Sequence, residues 1–354
     1  MDDRGGARLA AERHEMILNE ARLRGFVKVV DMAQRLGVSV VTVRRDITAL
    51  VEAGELARVH GGATLPAAPA AGAARRPLAT VGMILPASRY YYRSVVAGAE
   101  EAASRAGMRL VLAVSHYDPA EEERLVGRML RAGVDALLVA TAEPPRDAPP
   151  GWLGTVGVPT VLVERRWDGP EAEYVRSDHG AGARLAVEHL AAHGHARVGL
   201  AVRTSTPTSP WLVQGFREAT GPGGPAAAGF DPVDLVRPAD GVAVRDRGLS
   251  ELLDRCGATG TRAVLVHTDE DAVALLGLAN DRGLRVPEDL AIVAYDDEIA
   301  ALAPVPLTAV APPKRDVGRA AVDLAVRRLS SSGDLATQQV TLLPRLVARD
   351  SVTG

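Results

Sequence analysis

Apolar residues recur at helical spacing through the first fifty positions. Ile17, Leu18 and Ala21 share one face of a helix over about 11–24. Val29, Met32, Ala33 and Leu36 form the face of a second helix, and Val43, Ile47, Leu50 and Val51 that of a third. Gly37 stands where a helix C-terminal glycine belongs, and Ser39 where an N-cap belongs, its hydroxyl placed to accept from the N–H of Thr42. The outer face of the third helix carries Val41, Thr42, Arg44, Arg45 and Thr48. Arginine can read guanine edges or hold phosphates, and threonine and valine methyls can touch the thymine methyl. After Gly54, Glu55–His60 alternates and meets Gly61-Gly62, a hairpin signal, which puts Arg58 and His60 on a β-wing. The pattern predicts a winged helix-turn-helix whose third helix enters a major groove.

Residues 66–79 lack amphipathic period and are rich in Pro and Ala, which reads as a linker. From Thr80 the period changes repeatedly. Strands are predicted at 81–85, 110–114, 136–140 and 158–163, with helices at 95–106 and from Pro119 to Gly133. A second series starts near Asp178: a helix to His193, a strand at 197–202, helices from Trp211 and over 242–256, a strand at 263–266, a helix at 269–282 and a strand at 290–294. Such alternation predicts an α/β fold with parallel sheets, here in two lobes. A ligand cleft is expected at the carboxyl ends of the strands.

Composition narrows the class. A chain of 354 residues exceeds one ordinary domain, and 47% hydrophobic with 24% charged residues is a globular balance. The net charge of −3, with ten Lys/Arg against nine Asp/Glu in residues 1–65, excludes a generic polyanion binder. DNA affinity must then come from clustering and dimerisation. The single cysteine, Cys256, fits a reducing compartment and a buried hydrophobe, and no run suits a membrane span, so a cytoplasmic protein is expected. His189, His193 and His195 sit where a helix ends at Gly194, a natural place for histidine, and no metal is expected there. No phosphate loop, nucleophile elbow or zinc cysteine pattern occurs, so neither an enzyme nor a cofactor is expected.

Arg13-His-Glu-Met-Ile17, Val38-Ser-Val-Val-Thr-Val-Arg-Arg-Asp46 and Arg58-Val-His-Gly-Gly-Ala63 resemble the DeoR-type winged helix-turn-helix. Gly98–Ala103, Gly133–Leu138, Ser177–Leu190, Gly194–Gly199, Gly215–Ala219, Gly283–Asp297, Pro306–Val310 and Pro344–Arg349 together resemble the periplasmic-binding-protein-like sensor of LacI/GalR-type regulators. The resemblance implies a DNA-binding domain at 1–65, a linker at 66–79 and a sensor at 80–354. Its first lobe would take about 80–177 and 311–338, and its second about 178–308 and 341–354, with crossings near 177–178, 308–311 and 338–341. It implies DNA contacts from Ser39, Val41, Thr42, Arg44, Arg45, Arg58 and His60, and ligand contacts from Tyr91, Tyr92, Glu164, Arg165, Thr268 and Asp296, with Tyr90 beside them. Many family members clamp the ligand with an Arg where Pro210 stands here; Trp211 is expected to present its ring instead, and either Arg165 or Arg203 to supply the lost cation. The implied function is a homodimeric, ligand-responsive transcriptional regulator, a repressor of operator DNA with a polyhydroxylated effector such as a sugar. The alternative is a cytoplasmic sugar-binding module whose head is vestigial or binds a protein. The hinge helix usual in LacI/GalR-type proteins does not carry over, because a Pro/Ala segment follows the wing.

Overall fold

A computed structural model describes residues 10–24, 26–53, 55–59, 62–64, 79–88, 90–142, 150–166, 172–235, 242–331 and 335–352. His60 and most of the Pro/Ala segment lie outside the described residues. The chain divides into two units, Met1–Arg76 and Pro77–Gly354.

In the first unit α1 (Ala10–Arg24), α2 (Val29–Leu36) and α3 (Val40–Glu52) close on a core of Ile17, Ala21, Met32, Leu36, Val43, Ile47 and Leu50. Gly37 ends α2 at φ 66°, a left-handed conformation open to glycine at no steric cost. A three-stranded antiparallel sheet follows: β2 (Ala57–Val59) and β3 (Gly62–Thr64) form the wing, and β1 (Phe26–Lys28), which the sequence pattern did not reveal, pairs with β3.

The second unit holds two sheets. The first-lobe sheet contains β4 (Thr80–Leu85), β5 (Arg109–Val114), β6 (Ala136–Val139), β7 (Thr160–Val163), β8 (Glu173–Ser177) and β15 (Gln339–Leu342), in the order β15-β8-β7-β6-β4-β5 and all parallel. Helices α4 (Tyr91–Arg105) and α10 (Lys314–Ser330) cover one face, where Val95, Ala99, Val317, Ala321 and Val322 pack on Met83, Leu138 and Val161. Helix α5 (Pro119–Arg131) covers the other with Leu125, Val126 and Met129.

The second-lobe sheet contains β9 (Arg197–Val202), β10 (Ala227–Ala228), β11 (Val233–Asp234), β12 (Ala263–Val266), β13 (Ala291–Tyr295), β14 (Thr308–Ala311) and β16 (Arg345–Val347). It is parallel except for the β14–β16 pair. Helices α6 (His179–Ala192) and α7 (Ser209–Thr220) pack on one face, and α8 (Val242–Thr259) and α9 (Asp269–Asp281) on the other. Cys256 is buried on α8.

The chain passes between lobes after β8, after β14 and after β15. The crossing expected at 338–341 falls later, because Gln339–Leu342 first completes four residues of parallel pairing with β8. The helix expected at 95–106 begins earlier, at Tyr91: its first turn, Tyr-Tyr-Arg-Ser, has no apolar period to announce it.

Candidate functional site

Two places gather the predicted residues, one in each unit. In the first unit, Ser39 caps α3: its Oγ accepts from Thr42 N–H at 3.1 Å and lies 2.9 Å from Thr42 Oγ1. Asp46 turns inward, not toward the outer face. Its carboxylate takes Arg13 Nε at 2.8 Å and Nη2 at 3.1 Å, with His14 Nε2 at 3.4 Å, and so fastens α3 to α1. Burial pushes this carboxyl up, but the hydrogen bonds and charge of Arg13, with His14, outweigh it and hold the group below its ordinary range. That leaves Val41, 68% exposed, with exposed Arg44 and Arg45 to face outward. Arg58 on β2 donates to Thr48 Oγ1 at 2.6 Å, which ties the wing to the same face.

In the second unit a cavity of about 120 Å³ opens at the carboxyl ends of both sets of strands. Tyr90, Tyr91, Tyr92, Tyr117, Glu164 and Arg165 line it from the first lobe; His179, Arg203, Thr206, Pro207, Thr208, His267, Thr268 and Asp296 line it from the second. Glu164 and Asp296 end β7 and β13 at φ 55° and 91°. Such angles are sparsely populated for a residue with a Cβ and cost of order 1–3 kcal/mol, which the surrounding sheets must hold in place.

The two carboxylates differ in their surroundings. Glu164 is saturated: it accepts from Tyr91 Oη at 2.6 Å, Ser177 Oγ at 2.8 Å and Ser177 N–H at 3.0 Å, with His179 Nε2 at 3.4 Å. Burial pushes its carboxyl up, yet His179 and these donors hold it down, at about 2. The Asp296 carboxylate has no donor among the described residues. Burial pushes its carboxyl up to about 7; Lys314 draws it down, while Asp269 and Glu298 push it further up.

The cations and the remaining contacts frame this asymmetry. Arg165 spends its guanidinium on the carbonyls of Thr141 (2.9 Å) and Glu164 (2.7 Å) and on the Tyr92 hydroxyl (3.3 Å). Arg203 pairs with Asp271, Nε to Oδ2 2.7 Å. Burial, with His179 and Arg203 nearby, holds His267 neutral, down to about 3. Contacts that span the lobes include Tyr90 Oη donating to Asp269, Lys314 on α10 donating to the Asp296 carbonyl and to Glu298, and His179 beside Glu164.

Three family models match the chain. They are a DeoR-like helix-turn-helix domain over residues 13–68, the periplasmic binding proteins and sugar binding domain of the LacI family over 79–234, and a periplasmic binding protein-like domain over 187–352. The HTH-type transcriptional regulator CelR of Thermobifida fusca is 34% identical over 271 residues, spanning 74% of this chain and 76% of that protein. The chain belongs to the LacI-type family of transcriptional regulators. GalR of Escherichia coli is 29% identical over 334 residues, 92% of this chain and 95% of GalR. The solved CelR–cellobiose complex matches this LacI-type regulator with TM-score 0.64 and 26% identity over 96% of this chain and 99% of its own. The lac repressor dimer bound to operator and the anti-inducer ONPF, 21% identical, shares the fold with TM-score 0.65 over 82% of this chain and 99% of its own. The relatives are regulators, not enzymes.

Within this LacI-type sensor the structure brings Tyr91, Tyr92, Glu164, Arg165, Thr268 and Asp296 to one cavity, and both candidate cations, Arg165 and Arg203, with them. Trp211 is not among the lining residues, contrary to expectation. Helix α7 starts at Ser209, so Trp211 falls in its first turn, where its ring meets the guanidinium groups of Arg166 and Arg176 at 5.8 and 5.3 Å. The sequence reading missed His179 and His267. His179 opens α6 and looks like an ordinary N-terminal residue; only the folded chain shows its Nδ1 3.1 Å from Tyr295 Oη and its Nε2 near Glu164. Among the described residues no cluster of metal-ligating side chains occurs, and no helix is long and apolar enough to cross a membrane.

Proposed function

We propose that this regulator is a homodimeric repressor whose operator affinity is changed by a small polyhydroxylated effector, such as a sugar, bound between the lobes. The observation that carries the reading is the Asp296 carboxylate, buried at the cavity wall beside the tyrosines with no donor of its own. A buried charge needs a partner, and hydroxyl groups supply donors, while tyrosine rings offer a face to sugar C–H groups. The relatives support this: CelR is solved with cellobiose, and a LacI-family regulator from Enterococcus faecium with ribose. On the output side, Ser39, Val41, Thr42, Arg44 and Arg45 of each protomer would enter successive major grooves of a roughly palindromic site, with Arg58 and His60 on the wing near the backbone. Effector-driven change in the relation of the lobes would alter DNA affinity by a coupling free energy of about 1–3 kcal/mol.

Binding to the DNA upstream of its own gene tests the output. Arg44→Ala/Arg45→Ala should weaken binding by about 100-fold or more and lower the salt slope, since both guanidiniums are exposed and each base or phosphate contact is worth about 1–3 kcal/mol. Equal binding by wild type and variant, with equal salt dependence, sinks the DNA-reading assignment. Sugar-dependent stabilisation with no DNA binding at all would favour the sugar-binding module instead.

A further inference from the structure

A second cavity, of about 150 Å³, lies where β8 hands the chain to α6 and shares no lining residue with the first. Its cationic wall is built from Arg166, Arg176 and Arg184, with Trp211 beside them. Arg176 is the unusual member. It is only 8% exposed, its Nε is buried without a hydrogen-bond partner, and its one hydrogen bond is a long one, from Nη1 to the Ser177 carbonyl at 3.3 Å. No carboxylate pairs with it among the described residues. Arg203 and Lys314, equally buried, each hold a carboxylate.

Neither acid lining this cavity pairs with Arg176. Asp178 caps α6 by accepting from Ala181 N–H at 2.9 Å. Glu218 takes Arg184 Nη1 and Gln214 Nε2, each at 2.9 Å. Trp211 offsets part of the Arg176 charge through its ring face, 5.3 Å away, but leaves the N–H donors unanswered. A buried guanidinium lacking both counter-charge and a full set of acceptors is costly, and a tetrahedral oxyanion supplies both through the planar fork.

We propose that Arg166, Arg176 and Arg184, gathered with Trp211 between the lobes, form a second binding site, for a small phosphate-bearing anion. Arg166 and Arg176 belong to the first lobe; Arg184 and Trp211 belong to the second. An anion held by both sets therefore favours one relation of the lobes, as the polyol does from its own cavity.

The test is thermal unfolding of the full chain in sodium phosphate against sodium chloride at matched ionic strength. Wild type should show a saturable rise in melting temperature with phosphate. Arg176→Met should lose at least about tenfold in phosphate affinity, yet without phosphate melt no lower than wild type, because it removes an unpaired buried charge. Trp211→Leu, a milder change, should weaken phosphate binding as well. Asp296→Ala should keep the phosphate response, which separates this site from the polyol cavity. Glucose 6-phosphate stabilising more than phosphate and glucose together assigns the anion to a metabolite; equal effects of phosphate and glucose 6-phosphate assign it to free phosphate. A phosphate shift no larger than that of chloride, full response in both Arg176→Met and Trp211→Leu, or its loss in Asp296→Ala overturns the proposal.

Discussion

Asp296→Ala abolishes the rise in melting temperature that the effector gives the wild-type protein. Ligand present at a hundred times its Kd stabilises by about 2.7 kcal/mol, so the loss is large on any thermal scan. The expectation rests on the contrast between the two acids of the cavity. Glu164 already accepts from Tyr91, Ser177 and its backbone, whereas Asp296 has a full carboxylate to offer. The same residue sets a pH dependence. Its carboxyl lies at about 7 in the folded protein, raised first by burial, so it is half protonated near neutrality. Effector hydroxyls that donate to the ionised form should bind about tenfold more weakly at pH 6 than at pH 8, and Asp296→Asn should flatten that slope. Without effector the sign reverses. A raised acid destabilises the fold above its folded pKa, and that cost is relieved as pH falls from about 7 toward the ordinary aspartate range. Effector stabilisation unchanged in Asp296→Ala removes this residue from the site.

Gly318→Ala should lower the stability of the sensor by about 3 kcal/mol, and its melting temperature by about 6 °C or more. Helices α4 and α10 approach so closely that a Cβ at Gly318 would stand 1.9 Å from the Val95 carbonyl oxygen and 2.8 Å from the Ala99 nitrogen. Gly98 meets the Arg315 carbonyl oxygen at the same 1.9 Å from the other side. These neighbours are backbone within helices and cannot turn aside, so the pair must separate and open the core around Val95, Val317 and Ala321. Gly277 on α9 is the control. A Cβ there meets nothing within 4 Å, so Gly277→Ala should stabilise by up to about 1 kcal/mol through helix propensity alone. Differential scanning calorimetry of the three proteins decides the matter; Gly318→Ala melting with or above the wild type contradicts the packing argument.

The regular alternation of apolar runs located most of the sensor, because central strands such as β4 and β6 are buried on both faces and helices end at glycines such as Gly107 and Gly133. Short or two-residue strands such as β10, β11 and β16 leave too few positions for a period to show. In the head, the cap at Ser39 and the inward face of α3 follow from local chemistry. The role of Asp46 does not, since its partner Arg13 is a helix away. The cavity divides the same way. Residues at strand ends are legible, but the state of each carboxylate depends on groups in other elements: His179 for Glu164, and Lys314 and Asp269 for Asp296. Trp211 was misplaced because the start of α7 decides where its ring goes, and Ser209-Pro210 announces that start only weakly.

The threading of the sensor sets a schedule for its synthesis. Helix α10 and strand β15, which complete the first lobe, are encoded after nearly all of the second, and β16 closes the second lobe later still. The first-lobe core therefore lacks Val317, Ala321, Val322 and Ala325 until the last tenth or so of the chain has been made. The head, whose described core lies between Met16 and Ala63, is ready to form long before. A message cut short, or a ribosome stalled after α9, would release a finished DNA-facing head on a sensor with neither lobe closed. Such a product is a substrate for proteolysis and aggregation, not a smaller repressor that still answers to its effector.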